Sequence, residues 1–239
     1  MNLDILVLAA HPDDAELGCS GTIAAHVAMV KKVGIIDFTR GEMGTRGTPE
    51  TRDQEAAEAS KILKISVREN LRFKDVFFTN DLEHQLKVVQ VIRKYRPKIV
   101  LCNAPHDRHP DHGKGSALAS QACFLAGLRK VETFDKEGLA QEAWRPEAVY
   151  HYIQDRYLQP DFVVDITPYW ETKVASIRAY QTQFFNPNSS EPQTYISRPD
   201  FLNFVEARSR EMGHPVGFTF AEGFLKERHI GVRNLFDLV

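Results

Sequence analysis

Ile5-Leu6-Val7-Leu8-Ala9-Ala10-His11-Pro12-Asp13-Asp14-Ala15-Glu16 is an apolar run that ends in one imidazole and three carboxylates. The run reads as a buried strand, and charge at the exit of a buried strand is costly unless a cation, a partner or a catalytic use offsets its desolvation. A second cluster, Asp107-Arg108-His109-Pro110-Asp111-His112, follows the apolar run Ile99-Val100-Leu101-Cys102. Taken singly, His11 reads as a capping or packed residue and Asp13 or Asp14 as a helix N-cap. Taken together, two such clusters at strand exits point to one shared site, read here as the mononuclear metal centre of a hydrolase.

The rest of the chain supplies the frame. Short β-branched runs alternate with helical patterns, the signature of a parallel sheet built from βαβ units. Strands are expected at Leu3 to Ala9, Val33 to Phe38, Asn70 to Phe73, Ile99 to Cys102, Ala148 to Tyr152 and Phe162 to Val164. Helices are expected at Glu16 to Val30, Thr51 to Leu63, Leu82 to Tyr95, Gly113 to Gly127, Tyr169 to Tyr180 and Pro199 to Glu211, with Pro97 and Gly127 as stop signals. The expected fold is a single α/β, Rossmann-like domain over residues 1–239, a largely parallel sheet flanked by helices. In the doubly wound order 3-2-1-4, strands 1 and 4 are neighbours and the site lies at their carboxyl ends. His11 and Asp14 then face His112 across a crevice. Two histidines and one carboxylate with open positions suit a catalytic zinc, and the same facial set suits Fe(II). Residues 185–192, Phe-Asn-Pro-Asn-Ser-Ser-Glu-Pro, have the composition of a loop and are expected to form a mobile lid.

Composition excludes several classes. The 30 basic and 32 acidic side chains leave a formal charge of -2, so there is no electrostatic footprint for nucleic acid or an anionic membrane. Cys19, Cys102 and Cys123 have no CxxC spacing and read as small buried residues of a cytoplasmic protein. The N-terminal segment carries Asp4 and lacks a basic region, so no signal peptide is expected, and no apolar stretch reaches membrane-spanning length. Asn188-Ser189-Ser190 is then an accidental glycosylation match. Gly18 and Gly21 lack the third glycine of a dinucleotide loop and follow carboxylates where a pyrophosphate would sit. No Gly-x-Ser-x-Gly elbow is present, and no cysteine has an evident histidine partner, which argues against covalent catalysis.

His11-Pro12-Asp13-Asp14-x-Glu16 together with His109-Pro110-Asp111-His112 resembles the LmbE/PIG-L family of metal-dependent N-acetylglucosaminyl de-N-acetylases. The stretches 41–47, Gly-Glu-Met-Gly-Thr-Arg-Gly, and 51–56, Thr-Arg-Asp-Gln-Glu-Ala, with Phe220-Ala221-Glu222-Gly223-Phe224, resemble its bacillithiol-biosynthesis branch. That branch removes acetate from N-acetylglucosaminyl malate. The resemblance implies His11, Asp14 and His112 as metal ligands, Asp13 as general base, and His109 as oxyanion donor or acid for the leaving amine. It further implies that Asp111 orients His109, that Arg52 contacts substrate, and that the chain forms a homo-oligomer such as a hexamer. Some members carry a tyrosine two residues before the first histidine of the second motif; Asp107 stands there, with Tyr195 as the candidate substitute.

The residue chemistry agrees independently. A bound divalent metal supplies a nucleophilic water near neutral pH and polarises the acetyl carbonyl. Asp13, next to a ligand yet not one itself, can accept that water's proton, and His109 as imidazolium can meet the charge of the tetrahedral intermediate. Glu16 either complements a helix N-terminus or takes part in catalysis. Arg40, Arg46 and Arg52 follow the second strand, and either clamp substrate carboxylates such as malate or form a solvated loop. His106, His151 and Arg108 either line the pocket or lie at its rim, whereas His26, His84, His214 and His229 lack clustered partners. The partner expected is a small amino sugar. The other readings are a deacetylase of another N-acetylglucosamine conjugate or a chitooligosaccharide, and a non-catalytic metal-dependent sugar-binding module. Asp13 and His109 discriminate, because binding alone needs no unligated base and acid.

Overall fold

The computed structural model describes residues 1–238. Its elements run β1 (Ile5–Ala9), α1 (Asp14–Ala28), β2 (Val33–Thr39), α2 (Pro49–Leu63), β3 (Val67–Phe73), α3 (Leu82–Tyr95), β4 (Ile99–Asn103), α4 (Pro110–Ala126), β5 (Ala148–Tyr152), β6 (Phe162–Asp165), α5 (Trp170–Arg178), α6 (Phe201–Gly213) and β7 (Ala221–Lys226). One sheet collects all the strands in the order β3-β2-β1-β4-β5-β7-β6. The expected 3-2-1-4 core is therefore present. β1 pairs in parallel with β2 on one side and β4 on the other, with Ile5 opposite both Val33 and Ile99.

β1 shows why the sheet is covered on both faces. Side chains alternate along a strand, and Leu6 and Leu8 enter one apolar cluster with residues of α3 and α4, such as Val88, Ile92, Leu118 and Ala119. Ile5, Val7 and Ala9 enter the opposite cluster with Ala15, Cys19 and Ile23 of α1. Each fully buried Leu or Ile contributes about 1.5–3 kcal/mol, so a one-residue slip of this strand would exchange the two cores. A third cluster joins Ala56 and Ala59 of α2, Ile177 of α5 and Val205 of α6.

Local signals set the helix ends. Thr48 caps α2 in a reciprocal box with Thr51, and Pro49 opens the helix. Asp81 caps α3 through the His84 amide, and Arg96 in the left-handed region, followed by Pro97, ends it. Among the described residues no helix is long and apolar enough to cross a membrane.

The structure corrects the expected element list at its polar edges. β3 begins at Val67 rather than Asn70, because Arg68 pairs with the buried Asp37 and Glu16 while the edge strand tolerates the partly exposed Glu69. α4 begins at Pro110, with His109 as its N-cap, so the second motif opens a helix. β7 was not expected at all. It lies antiparallel between β5 and β6, which makes the far end of the sheet mixed, and its Glu222 and Gly223 mask the strand pattern.

Candidate metal centre

Both motifs leave adjacent strands at the switch point, and side chains from the neighbouring strands tie them together. Asn103, the last residue of β4, accepts the Ala10 amide through Oδ1 at 2.9 Å and donates Nδ2 to Asp14 Oδ2 at 3.1 Å. Gln154, just beyond β5, donates to Asp14 Oδ1 at 2.7 Å. Asp14 opens α1, and its Oδ2 also accepts the His11 amide at 2.9 Å. His11, Asp13, Asp14 and His112 are all buried.

The Asp14 carboxylate lies between two imidazoles, with His112 Nε2 3.1 Å from Oδ1 and His11 Nδ1 3.4 Å from Oδ2. The other nitrogen of each ring faces a carboxylate. His112 Nδ1 is 2.7 Å from Asp107 Oδ2, and His11 Nε2 is 3.0 Å from Asp75 Oδ1 and 3.2 Å from Asp111 Oδ2. Histidine ligands are commonly oriented in this way by an acceptor on the distal nitrogen, which leaves the proximal nitrogen for the metal. Ring nitrogens of His11, His109 and His112 also lie within 4.8 Å of one another, as do donor atoms of His11, Asp75 and Asp111.

Protonation supports the fit of a divalent cation to His11, Asp14 and His112. Burial opposes charge on both histidines, yet the carboxylates outweigh it. His11 is raised well above its ordinary value by its bonds to Asp111, Asp14 and Asp75, and His112 is pushed up to about 9 by the Asp14 charge and the Asp107 bond. Asp14 is held well below the usual range, against its burial, by the His112 charge. Two imidazoliums thus offset part of the charge of the four carboxylates around them, and a dication can replace their two protons with little change in local charge.

Asp13 differs in kind from its neighbour. It is the N-cap of α1 at φ 103°, a left-handed conformation that is strained for any residue with a side chain. Burial raises its carboxyl to about 7 in spite of the Arg52 charge. Arg52 Nη2 donates to Asp13 Oδ2 at 3.0 Å and to the Pro12 carbonyl, while Nη1 reaches Gln183 Oε1 at 3.3 Å. Gly41, at φ 65°, makes room for this arginine, since a Cβ there would lie 2.4 Å from its Nη1.

Several expected roles change. The Asp111 carboxylate does not orient His109. It faces His11, the Val76 amide at 2.9 Å and Lys114 Nζ at 2.6 Å, whereas His109 Nδ1 accepts the Asp111 backbone amide at 3.2 Å. The reason is helical: His109 is the N-cap, so it meets the amide and not the side chain of the first turn. Nor is His109 an imidazolium, because burial lowers it to about 4, helped by the charges on His11 and His112. With Nδ1 accepting, the neutral ring carries its proton on Nε2 and remains a donor.

The three arginines read either as a carboxylate clamp or as a solvated loop already have protein partners. Arg40 pairs with Asp53 at 2.6 Å and Glu50 at 3.2 Å. Arg46 donates to the carbonyls of Thr182 at 2.6 Å, Pro192 at 3.1 Å and Glu191 at 3.3 Å, and to Ser189 Oγ at 3.0 Å. It thereby ties down the loop expected to be a mobile lid. Arg52 is paired with Asp13. Arg108 is the half-exposed arginine of the cleft, stacked 4.4 Å over the Tyr195 ring and 3.4 Å from Asp155. The cleft itself holds ≈ 210 Å³ and is lined by His11, Asp13, Arg52, Arg108, His109 and Tyr195 among others.

Sequence reasoning missed Asp75, Gln154 and Gln183, and it placed Asp107 in the second cluster and as a departure from a tyrosine without giving it a role. Asp75 and Gln154 each follow the carboxyl end of a strand in the same sheet, a signal that was available once the switch point was located.

A family model described as PIG-L, GlcNAc-PI de-N-acetylase, matches residues 6–123, a span that holds both motifs. The diacetylchitobiose deacetylase of Thermococcus kodakarensis is 29% identical over 191 residues, 75% of this chain and 70% of that protein. The 4-oxalmesaconate hydratase of Pseudomonas putida is 26% identical over 191 residues, 74% of this chain and 73% of its own, so the scaffold also serves another reaction. The crystal structure of a conserved protein from Thermus thermophilus superposes with a TM-score of 0.85 at 39% identity, covering 97% of this chain and 98% of that one. The chain is an enzyme, an N-deacetylase, and over residues 6–123 it matches the PIG-L family of de-N-acetylases.

Proposed function

We propose that this enzyme hydrolyses the N-acetyl group of an N-acetylglucosaminyl conjugate, with a divalent ion, zinc in preference to Fe(II), held by His11, Asp14 and His112. One observation carries the reading. Asp13, a buried carboxyl with a value of about 7, stands beside the donor carboxylate of Asp14 while remaining outside the donor set. Such a group can accept a proton at neutral pH, which pure sugar binding does not require. The bound metal supplies the Lewis acidity. Arg52 holds the Asp13 carboxylate in place, and His109, neutral and protonated on Nε2, donates to the oxygen that gains charge as the amide is attacked. A fixed donor of this kind is worth about 10²–10³ in rate. Asp111 orients His11 rather than His109. The relative that acts on diacetylchitobiose and the family description both support an N-acetylglucosamine substrate.

N-acetylglucosaminyl malate is the substrate proposed within that class, as in bacillithiol biosynthesis. Arg108 over Tyr195 supplies the half-exposed guanidinium that a dicarboxylate aglycone needs, and it takes over the part expected of Arg46 and Arg52. Acetate release from N-acetylglucosaminyl malate, diacetylchitobiose and N-acetylglucosamine, with metal content measured on the same sample, tests the proposal. The malate conjugate should have the highest kcat/KM. A higher value for diacetylchitobiose would replace malate by a chitooligosaccharide, and no acetate from any N-acetyl sugar with metal bound would leave the binding module.

A further inference from the structure

α1 is two helices joined across a break at Cys19, whose φ of -148° and ψ of 17° are not helical. An uninterrupted helix pairs the Gly21 amide with the Leu17 carbonyl. Here an ion pair from two remote elements stands at that link. Lys173 Nζ, from α5, donates to the carbonyls of Leu17 at 2.8 Å and Glu16 at 3.2 Å. The Glu222 carboxylate, from β7, accepts the amides of Gly21 at 3.0 Å and Thr22 at 2.7 Å, and the two side chains meet at 2.6 Å. All three ammonium protons therefore have acceptors, and both carboxylate oxygens have donors.

This pair is 1% and 3% exposed. Burying two charges costs several kcal/mol per ion before their attraction is counted, and apolar replacement of such pairs is often neutral or stabilising. Stability alone does not account for its presence. The break does account for it, because a straight α1 has no free carbonyls or amides for either charge. The glycines that failed as a nucleotide loop belong to the same device. A Cβ on Gly18 would lie 2.2 Å from the Tyr152 ring, and one on Gly21 would lie 2.7 Å from Ile166. The broken helix thus lies directly against the end of β5, and Gln154, two residues beyond Tyr152, reaches Asp14.

We propose that the Lys173–Glu222 pair is a positioning device for Asp14: wedged into α1, it separates the first turn from the rest of the helix and sets that turn against His112 and Gln154. The inference rests on the reading of Asp14 as a metal ligand. Lys173→Met combined with Glu222→Gln removes both charges and keeps one amide oxygen able to accept from Gly21 or Thr22. Lys173→Met alone is the second arm, since the Glu222 carboxylate then keeps the Gly21 and Thr22 amides as donors. Zinc affinity is measured by chelator competition, the visible spectrum of the Co(II)-loaded protein is recorded, and urea unfolding of the metal-free protein is followed. The double variant should bind zinc about 10–100-fold more weakly, with an altered Co(II) spectrum and a urea midpoint close to that of the parent. A folded double variant with parental zinc affinity and Co(II) spectrum would overturn the proposal. If the double variant does not fold, parental values in Lys173→Met overturn it equally, and weakened zinc binding there supports it. Asp14→Ala separates the two readings: parental zinc binding in that variant refutes the ligand assignment itself, whereas its loss beside an unaffected double variant refutes only the wedge.

Discussion

The candidate metal centre and the charged layer behind α2 are built from similar side chains at similar depth, yet they behave differently. In the layer, Arg68 donates to Asp37 at 2.7 and 2.9 Å and to Glu16 at 2.6 Å. In the centre, the carboxylates of Asp14, Asp75, Asp107 and Asp111 are balanced mainly by imidazoles. A guanidinium stays charged at any accessible pH, so the layer keeps its cation permanently and serves to hold the fold. An imidazole can lose its proton, so the centre can exchange protons for a metal ion. The identity of the cation, rather than burial or the number of acids, separates structure from function.

The sharpest break of this contrast is Asp13→Asn. We predict a fall in kcat of about 10²–10⁴ with metal content and urea midpoint unchanged, since Asn tolerates the positive φ of this position as well as Asp does. Turnover near that of the parent would remove Asp13 as the base. The next effect belongs to the layer. Arg68→Met strands Asp37 and Glu16 without their cation and should cost about 3–5 kcal/mol of stability, read from urea unfolding. A loss below about 1 kcal/mol would mean that the layer is not held by its charges.

Asp107→Asn probes the orientation of His112 and should weaken zinc binding about 10–100-fold by chelator competition while sparing the fold. Unchanged affinity would show that Asp107 serves only the Arg108 and Arg156 amides, which it also accepts. The pH dependence is smaller and carries a sign. His112 in the folded, metal-free protein is raised to about 9, so the stability it contributes is full below about pH 6.5 and is lost as pH rises through 9. Asp13, raised to about 7, acts in the same direction from about pH 4 upward. The urea midpoint of chelator-treated protein should therefore fall between pH 6.5 and 9, and added zinc should flatten that fall; a flat metal-free profile would contradict the imidazolium pair. The smallest effect is expected of Arg40→Ala, whose partners Glu50 and Asp53 are exposed: less than about 1 kcal/mol and an unchanged KM for the malate conjugate. A large rise in that KM would return Arg40 to the substrate site.

Much of this was legible before any coordinates. The 3-2-1-4 core follows from apolar runs alternating with helical patterns, because such units bury both faces of a parallel sheet in one handed way. β7 was not legible, since a strand that reads Ala221-Glu222-Gly223 owes its place to pairing with β5 and β6 and to the use made of Glu222. The role of Asp111 was misread for a related reason: a helix start reverses which neighbours a side chain meets. Arg46 and Arg52 looked available for substrate because their partners, Thr182 to Pro192 and Asp13, are far away in sequence.

The sequence alone determined the sheet core and the two strand-exit motifs, and it grouped His11, Asp14 and His112 as the proposed donors, because strand burial and the grouping of side chains on short turns are local properties of the chain. Only the tertiary structure decided which charge answers which. Asp75 and Asp111 on His11, Arg52 on Asp13 and Lys173 with Glu222 across the break in α1 are pairings between remote segments. Electrostatic partnership depends on distance and burial in space, and neither is encoded in the spacing of residues along the chain.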